Sequence, residues 1–524
     1  AMVAKFDLND DSVVVIVGSG AGGGVLANEL AQKGVKVVAI EAGGRYLPED
    51  YINDEWPSFQ QLAWTDMRTT SGNWRVAKDF PNLPTWIVKA VGGTSIHWAG
   101  ASLRFQDHEW KAHTTYGDVP GANLLDWPLD SAEMAPWYDK AEAKLGVTRT
   151  GGRAGLPGNN NFKVFEAGAK AIGYQDVNTG HMGINSADYD ERVSCQQTGF
   201  CFQGCKWGAK WSAAYTDIPR GEDTGNLEVR DRSFALQIEH DAKGRATGVV
   251  YVDADGKQQR QKARVVCVAC NTIESPRLLL NSASSMFPDG LANASGQVGR
   301  NYMRHTTGST YAIFDKPVRM WRGTVMAGYV GDERRNDPSR GFVGGFELET
   351  LSLGLPFLAA FLDPGAWGRE FASALDSYQN MAGLWIVGED MPQETNRVTL
   401  NHDVKDKNGL PVPNVHFDDH PNDVAMRDYA YGKAAELYRA VGATRVMPTP
   451  PYPSTHNLGT NRMSEKPRDG VVNKWGQAHD VPNLFVSDGS QFTTGAAENP
   501  TLTIVALAIR QADHLAGALS KGNF

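Results

Sequence analysis

Five cysteines are few for a chain of 524 residues, and an odd number cannot all pair. A disulfide framework is therefore excluded as the source of stability, and a chain this long buries enough core to fold without one. No apolar run approaches the ~20 residues that cross a bilayer as a helix. The longest candidates, at 351–362 and 503–509, are short and interrupted. Residues 1–5 lack the apolar segment of an export signal. Charge is not concentrated either: the net of −9 is spread without runs of one sign, whereas a nucleic-acid protein would carry a basic stripe. No internal repeat and no low-complexity tract is present. The length allows one large domain or two to three ordinary ones.

Three of the five cysteines lie together, Cys195, Cys201 and Cys205, in the run Ser-Cys-Gln-Gln-Thr-Gly-Phe-Cys-Phe-Gln-Gly-Cys. Thiolates are favoured ligands of iron–sulfur clusters, and this spacing lets three of them reach one cluster from a single loop. The other two, Cys267 and Cys270, form a C-x-x-C at the end of a β-branched run. They lack the helix N-terminus that activates a redox pair, so they read as strand filler. His416 and His420 resemble a metal box, but that spacing shares a face only in a helix. Here 412–417 reads as a strand and 418–421 as a turn into the next helix. Most of the 14 tryptophans belong to a core, although aromatic faces also suit sugar rings.

Residues 11–17 are a β-branched run fit for a strand buried on both faces. Gly18, Gly20, Gly22 and Gly23 follow. Residues 25–33 then have helical spacing, and 35–40 form a second strand ending at Glu41. This strand–turn–helix–strand unit predicts a dinucleotide site. Gly18 permits the tight turn, Gly20 admits a pyrophosphate to the backbone, and Gly23 lets helix and strand pack closely. The helix N-terminus faces the phosphates, and Glu41 accepts hydrogen bonds from ribose hydroxyls. The motif alone does not separate FAD from NAD. Further along, 50–85 and 145–190 read as irregular, and 227–268 as short strands. Residues 306–450 read as a second, largely antiparallel region. The tail returns to a strand at 483–487 and a helix from 500 to about 518.

Five separated motifs then carry a family resemblance. Residues 86–105 read Trp-Ile-Val-Lys-Ala-Val-Gly-Gly-Thr-Ser-Ile-His-Trp-Ala-Gly-Ala-Ser-Leu-Arg-Phe. The others are Glu-Ala-Gly-Gly at 41–44, Glu-Ser-Pro-Arg-Leu-Leu-Leu at 274–280, Ser-Thr-His-Asn-Leu-Gly-Thr-Asn-Arg-Met at 454–463, and the C-terminal pair 483–490 and 498–504. Together they resemble the glucose–methanol–choline (GMC) FAD oxidoreductases nearly end to end. With the cysteine triplet, the chain is similar to catalytic subunits of bacterial FAD-dependent sugar dehydrogenases of the glucoside 3-, glucose and fructose dehydrogenase type. The implied fold class is α/β with α+β: a Rossmann-like FAD-binding domain and a substrate domain on an antiparallel sheet. Residues 1–110, 190–300 and 455–524 would form the first. Residues 111–189 and 301–454 would form the second, with its lid segments.

The resemblance implies that Gly18, Gly20, Gly23 and Glu41 hold the ADP half of FAD. Gly92 and Gly93 would approach the isoalloxazine, Asp488 the ribityl or pyrophosphate region, and Thr501 the flavin ring. His97 would sit beside the flavin, either covalently bonded to it, as a histidine is in pyranose oxidases, or packed against it. Oxidising an alcohol removes a hydroxyl proton and a hydride from one carbon, so a base must stand beside the flavin. The resemblance places His456 in that role, with Asn499 orienting the hydroxyl by hydrogen bonding. Asn499 also reads as the N-cap of a helix with Pro500 at its first position.

Cys195, Cys201 and Cys205 would hold a 3Fe-4S cluster that passes electrons on. Two departures count against it: Lys206 stands where those enzymes carry proline, and the sequel Gly208-Ala-Lys210 resembles alcohol oxidases with a cluster-free loop. The implied activity is oxidation of a hydroxyl of a sugar, glycoside or polyol, with C3 of glycosides favoured. The implied partners are a small companion subunit and a cytochrome c acceptor, and the implied location is the periplasm rather than the cytoplasm. Two alternatives stay open: an oxidase that uses oxygen, and a non-catalytic flavin electron-transfer subunit.

Overall fold

The β-branched run Val14–Val17 is completely enclosed, which is what a strand covered on both faces requires. In the computed structural model, which describes residues 4–61 and 66–524 apart from the side chains of 59–61, it is the middle strand of a five-stranded parallel sheet. Residues 1–3, part of the segment read for an export signal, lie outside the described residues. The strand order is Leu484–Val486, Val265–Val268, Val14–Val17, Val37–Ile40 and Leu227–Arg230. The chain thus returns to its first strand from two distant segments. The helices Ala21–Gln32 and Thr501–Ser520 pack on each other and on this sheet.

Thr501–Ser520 has nearly the extent read for it and is more apolar over that length than the interrupted run at 503–509 suggested. It is the one described helix that meets the length and hydropathy of a membrane span. Yet 61% of that apolar window is buried inside the molecule. It packs against the Ala21–Gln32 helix and the Ser131–Leu145 helix, so the apolar composition belongs to the core.

A six-stranded sheet, antiparallel throughout, forms a second body of structure. Its order is Arg445–Thr449, Thr306–Ile313, Met381–Gly388, Phe346–Thr350, Tyr329–Val330 and Val177–Asn178. The helices Pro421–Arg439 and Asn160–Ala171 cover it. Asn160–Ala171 falls in a stretch read as irregular. Its start is fixed by Asn159, whose side chain accepts from the Phe162 amide at 2.9 Å, a cap masked in the sequence by surrounding glycine and asparagine. Within 227–268, Phe234–His240, Ala246–Val252 and Gln258–Lys262 form a separate antiparallel sheet, while Leu227–Arg230 and Val265–Val268 join the parallel one.

The minor motifs resolve locally. His416 ends the strand Pro411–His416 and meets Asp418 at 3.0 Å, whereas His420 caps the Pro421–Arg439 helix by accepting from the Asn422 amide. The two rings serve different elements. Cys267 is wholly buried in the Val265–Val268 strand, and the Cys270 thiol donates to the Val17 carbonyl at 3.4 Å.

Candidate active site

The turn after Val14–Val17 is a packing solution made of glycines. Gly18 has φ +103°, and a Cβ there would stand 2.1 Å from the Ala269 carbonyl oxygen. A Cβ on Gly22 would stand 1.9 Å from the Ser487 carbonyl, and one on Gly23 would be 2.2 Å from that of Gly18. Gly22, to which the sequence reading gave no role, therefore makes a closer helix–strand approach than Gly23. Gly20 differs: a Cβ there would have only the Gly93 Cα near it, at 3.7 Å, so its free side is open. Gly93, at φ +55°, presses on Gly20 from the other side, and Gly92, at φ +96°, packs on Ala214.

That open side faces a cavity lined by Gly18, Ser19, Gly20, Glu41, Gly93, His97, Trp385, His456, Asp488, Asn499 and Thr501. Gly23 and Gly92 do not line it. Residues far apart in the chain and on both large sheets meet there. The Ala21–Gln32 helix begins at this cavity with no side-chain cap and no acidic residue in its first turn, leaving amide donors and the positive dipole end for an anion. Glu41 accepts from the Ser19 amide at 3.0 Å, the Ser19 hydroxyl at 2.7 Å and the Gly43 amide at 2.9 Å. Burial raises its pKa, and these bonds oppose the rise. Asp488 accepts from the Asn271 amide at 3.1 Å and the Ser490 amide at 2.8 Å, so its carboxylate ties two turns together at the cavity wall.

His97 is buried, with Nδ1 donating to the Phe202 carbonyl and Nε2 without any partner. Burial lowers its pKa to about 4, so the ring is neutral and Nε2 carries a bare lone pair. An orphaned buried nitrogen, an open glycine cradle and an uncapped helix start together fit a bound dinucleotide such as FAD.

His456 shows the most telling geometry. His305, at the start of the six-stranded sheet's Thr306–Ile313 strand, lies with Nε2 3.0 Å from the Gly495 carbonyl and Nδ1 2.9 Å from Nδ1 of His456. A carbonyl only accepts, so His305 carries its proton on Nε2 and accepts at Nδ1. His456 must then carry its proton on Nδ1, which leaves Nε2 as a free acceptor with no hydrogen bond among the described residues. Burial lowers the His305 pKa to about 4, and burial reinforced by His305 and Arg304 lowers that of His456 further, so both rings are neutral. His305 holds φ +60°, a strained backbone for a residue with a side chain. Trp385 meets the His456 ring edge-on at 5.1 Å. No sequence motif marked His305 or Trp385.

Asn499 does not cap the final helix. Pro500 occupies that position and the helix starts at Thr501 with no side-chain cap, because Pro500 itself adopts near-helical angles and its carbonyl takes the first helical bond. The Asn499 side chain is thereby released; its Nδ2 donates to Glu349 at 3.3 Å and its Oδ1 has no partner.

Cys195, Cys201 and Cys205 are free thiols packed against the apolar core of the antiparallel body, with Cys195 in electrostatic reach of the other two. Among the described residues no group of three His, Cys, Asp or Glu side chains is disposed to hold a metal ion. Burial pushes the Cys195 thiol up to about 12 and raises that of Cys201, which favours protonated thiols. The loop is instead fastened to the His97 segment. The fully buried Lys210 donates to the carbonyls of Ile96 at 2.8 Å, Trp98 at 2.5 Å and Cys201 at 2.6 Å, using all three of its protons.

This combination of a parallel dinucleotide sheet, an antiparallel sheet and a histidine–asparagine cavity between them defines an FAD-type oxidoreductase. The chain belongs to the GMC oxidoreductase family, whose N- and C-terminal domains match residues 15–307 and 392–508. It acts on CH–OH groups, and the family's cofactor is FAD. It is 33% identical to a 2-methyl-1,2-propanediol dehydrogenase of Mycolicibacterium austroafricanum, over 98% of this chain and 96% of that protein. It is 29% identical to the fructose dehydrogenase large subunit of Gluconobacter japonicus, over 97% and 98%. It is 30% identical to a paromamine 6'-oxidase of Streptomyces fradiae, over 98% and 93%.

Proposed function

We propose that the protein is a dehydrogenase of sugar, glycoside or polyol hydroxyls, with His456 as the base and Asn499 orienting the hydroxyl. One observation carries this reading: the Gly495–His305–His456 chain fixes the tautomer so that His456 Nε2 is an unprotonated, unpartnered acceptor on the cavity. Bound FAD would supply the hydride acceptor at its flavin N5. Gly18, Gly20, Gly23 and Glu41 would hold its ADP half, with Gly92, Gly93, His97, Asp488 and Thr501 around the rest. The neutral Nε2 of His97 is compatible with either packing or a covalent link. Oxidation at C3 of a glycoside is the favoured regiochemistry, on the overall run of motifs. The division into an FAD-binding region (1–110, 190–300, 455–524) and a substrate region (111–189, 301–454) belongs to the same proposal.

A companion subunit, a cytochrome c acceptor and export to the periplasm with that companion complete it. Their support is the likeness to a protein named as a large subunit. No step is routed through a cluster, because no group of three metal ligands is disposed to hold an ion among the described residues. A second reading, an oxidase with a structural cysteine loop, draws support from that placement and from the likeness to a paromamine 6'-oxidase.

Anaerobic addition of sugars, glycosides and polyols to the FAD-loaded protein should bleach the flavin with at least one of them. A flavin that stays oxidised throughout at full FAD content would sink the enzymatic reading. Peroxide released during aerobic turnover selects the oxidase. Iron and acid-labile sulfide measured on the same sample decide the cluster.

A further inference from the structure

We propose that Glu349 is a positioning residue for Asn499, and that one cross-strand pair of the antiparallel sheet, Glu349 with Trp385, braces both members of the His456–Asn499 pair. The inference rests on the site reading above and goes one layer behind it. Glu349 and Trp385 are direct register partners on the neighbouring strands Phe346–Thr350 and Met381–Gly388. Partners in register project to the same face of a sheet. On that face, Trp385 abuts the His456 ring at 5.1 Å and Glu349 accepts from Asn499 Nδ2 at 3.3 Å.

That bond is the one hydrogen bond of the Asn499 side chain among the described residues. Asn499 is 6% exposed, and Oδ1 has no partner. The Glu349 oxygen accepts from Nδ2, and that bond sets which end of the amide faces the strand. One Nδ2 proton remains for a substrate oxygen. Glu349 is not among the residues lining the cavity, whereas Asn499 is, so Glu349 acts through Asn499. Glu349 and Glu347 alternate onto one face of the same strand, both buried, and Arg334 bonds Glu498 beside them at 3.3 Å. A buried carboxyl on a strand with other carboxyls nearby is a poor choice for stability alone. Holding a neighbouring side chain in a single orientation gives it a purpose.

The test is a double-substitution cycle on the FAD-loaded protein, with stopped-flow flavin reduction and thermal unfolding as paired readouts. Glu349→Leu should lower the flavin-reduction rate on the order of ten- to hundred-fold, the size expected for a reacting group displaced by about 1 Å. The half-saturating substrate concentration should change far less. Glu349→Gln, whose Oε1 still accepts, should recover most of the rate. In an Asn499→Ala background, Glu349→Leu should have no further effect on the rate, and the two changes should be non-additive in the unfolding midpoint. A folded, fully flavinylated Glu349→Leu protein within twofold of the parent rate overturns the proposal, as does Glu349→Gln failing as badly as Glu349→Leu. If Glu349→Leu does not fold, Glu349→Asp serves: the shorter side chain withdraws the acceptor from Asn499 Nδ2 while keeping the carboxyl. The flavin-reduction rate should then fall at least tenfold with the flavin still bound, and an unchanged rate overturns the proposal. Full activity in Asn499→Ala would instead sink the site reading itself, which separates the two failures.

Discussion

His456 stays neutral because burial and the neighbouring His305 and Arg304 all oppose its protonation. The sign of the pH effect follows. A base whose pKa lies below the usual histidine value remains competent in acid where an ordinary histidine is already protonated. The acid limb of the flavin-reduction rate should therefore fall below about pH 6.5, the unperturbed value, in a pH–rate profile. His456→Ala should reduce that rate on the order of a hundred- to ten-thousand-fold, the usual contribution of a positioned base, while leaving the flavin bound. A loss of less than tenfold would remove His456 from the role. His456, Asn499 and His97 were legible because each sits in a recognisable run of residues. His305 and Glu349 were not, because each acts through one side-chain contact to a residue distant in sequence. Such a contact leaves no pattern in either segment.

At the level of elements, the Ala21–Gln32 helix sits where it does because Gly22 lets it touch the end of the Leu484–Val486 strand. A methyl group at Gly22 would lie 1.9 Å from a backbone carbonyl, and neither backbone can swing away as a flexible side chain would. Gly22→Ala should cost about 1–3 kcal/mol, the range for overpacking a close contact, in urea unfolding, and FAD retention should fall with it. Gly34→Ala is the control at φ +82°, where a Cβ meets nothing within 4 Å; it should lose less and keep its FAD. The first strand–helix–strand unit was readable because burial on two faces and a glycine turn both mark the sequence. The helix Asn160–Ala171 was missed because it starts in glycine- and asparagine-rich sequence, whereas the start of Pro421–Arg439 was readable from the turn at 418–421.

Over the whole molecule, the carboxyls gathered between the site and the antiparallel body set a pH dependence of stability. Burial raises Glu389 to about 8 and Asp390 to about 7, and it raises Glu347, Glu349 and Glu498 in the same direction. Raised acids bind more protons folded than unfolded, so their contribution is complete below about pH 4 and is lost as pH climbs through 7 to 8. Urea unfolding at stepped pH should show stability falling across that interval. Glu389→Gln, which keeps an acceptor for the Tyr116 hydroxyl, should flatten the fall. Local pattern alone determined the dinucleotide unit and the antiparallel second region, because periodicity and glycine placement are properties of neighbouring residues, and the flavin-side motifs were identified by their resemblance to a known family. Only the tertiary structure decided the rest: which histidine holds the tautomer of His456 and which acid aims Asn499. Those depend on side chains brought together from distant segments across two sheets, and spacing along the chain does not fix distance across a fold.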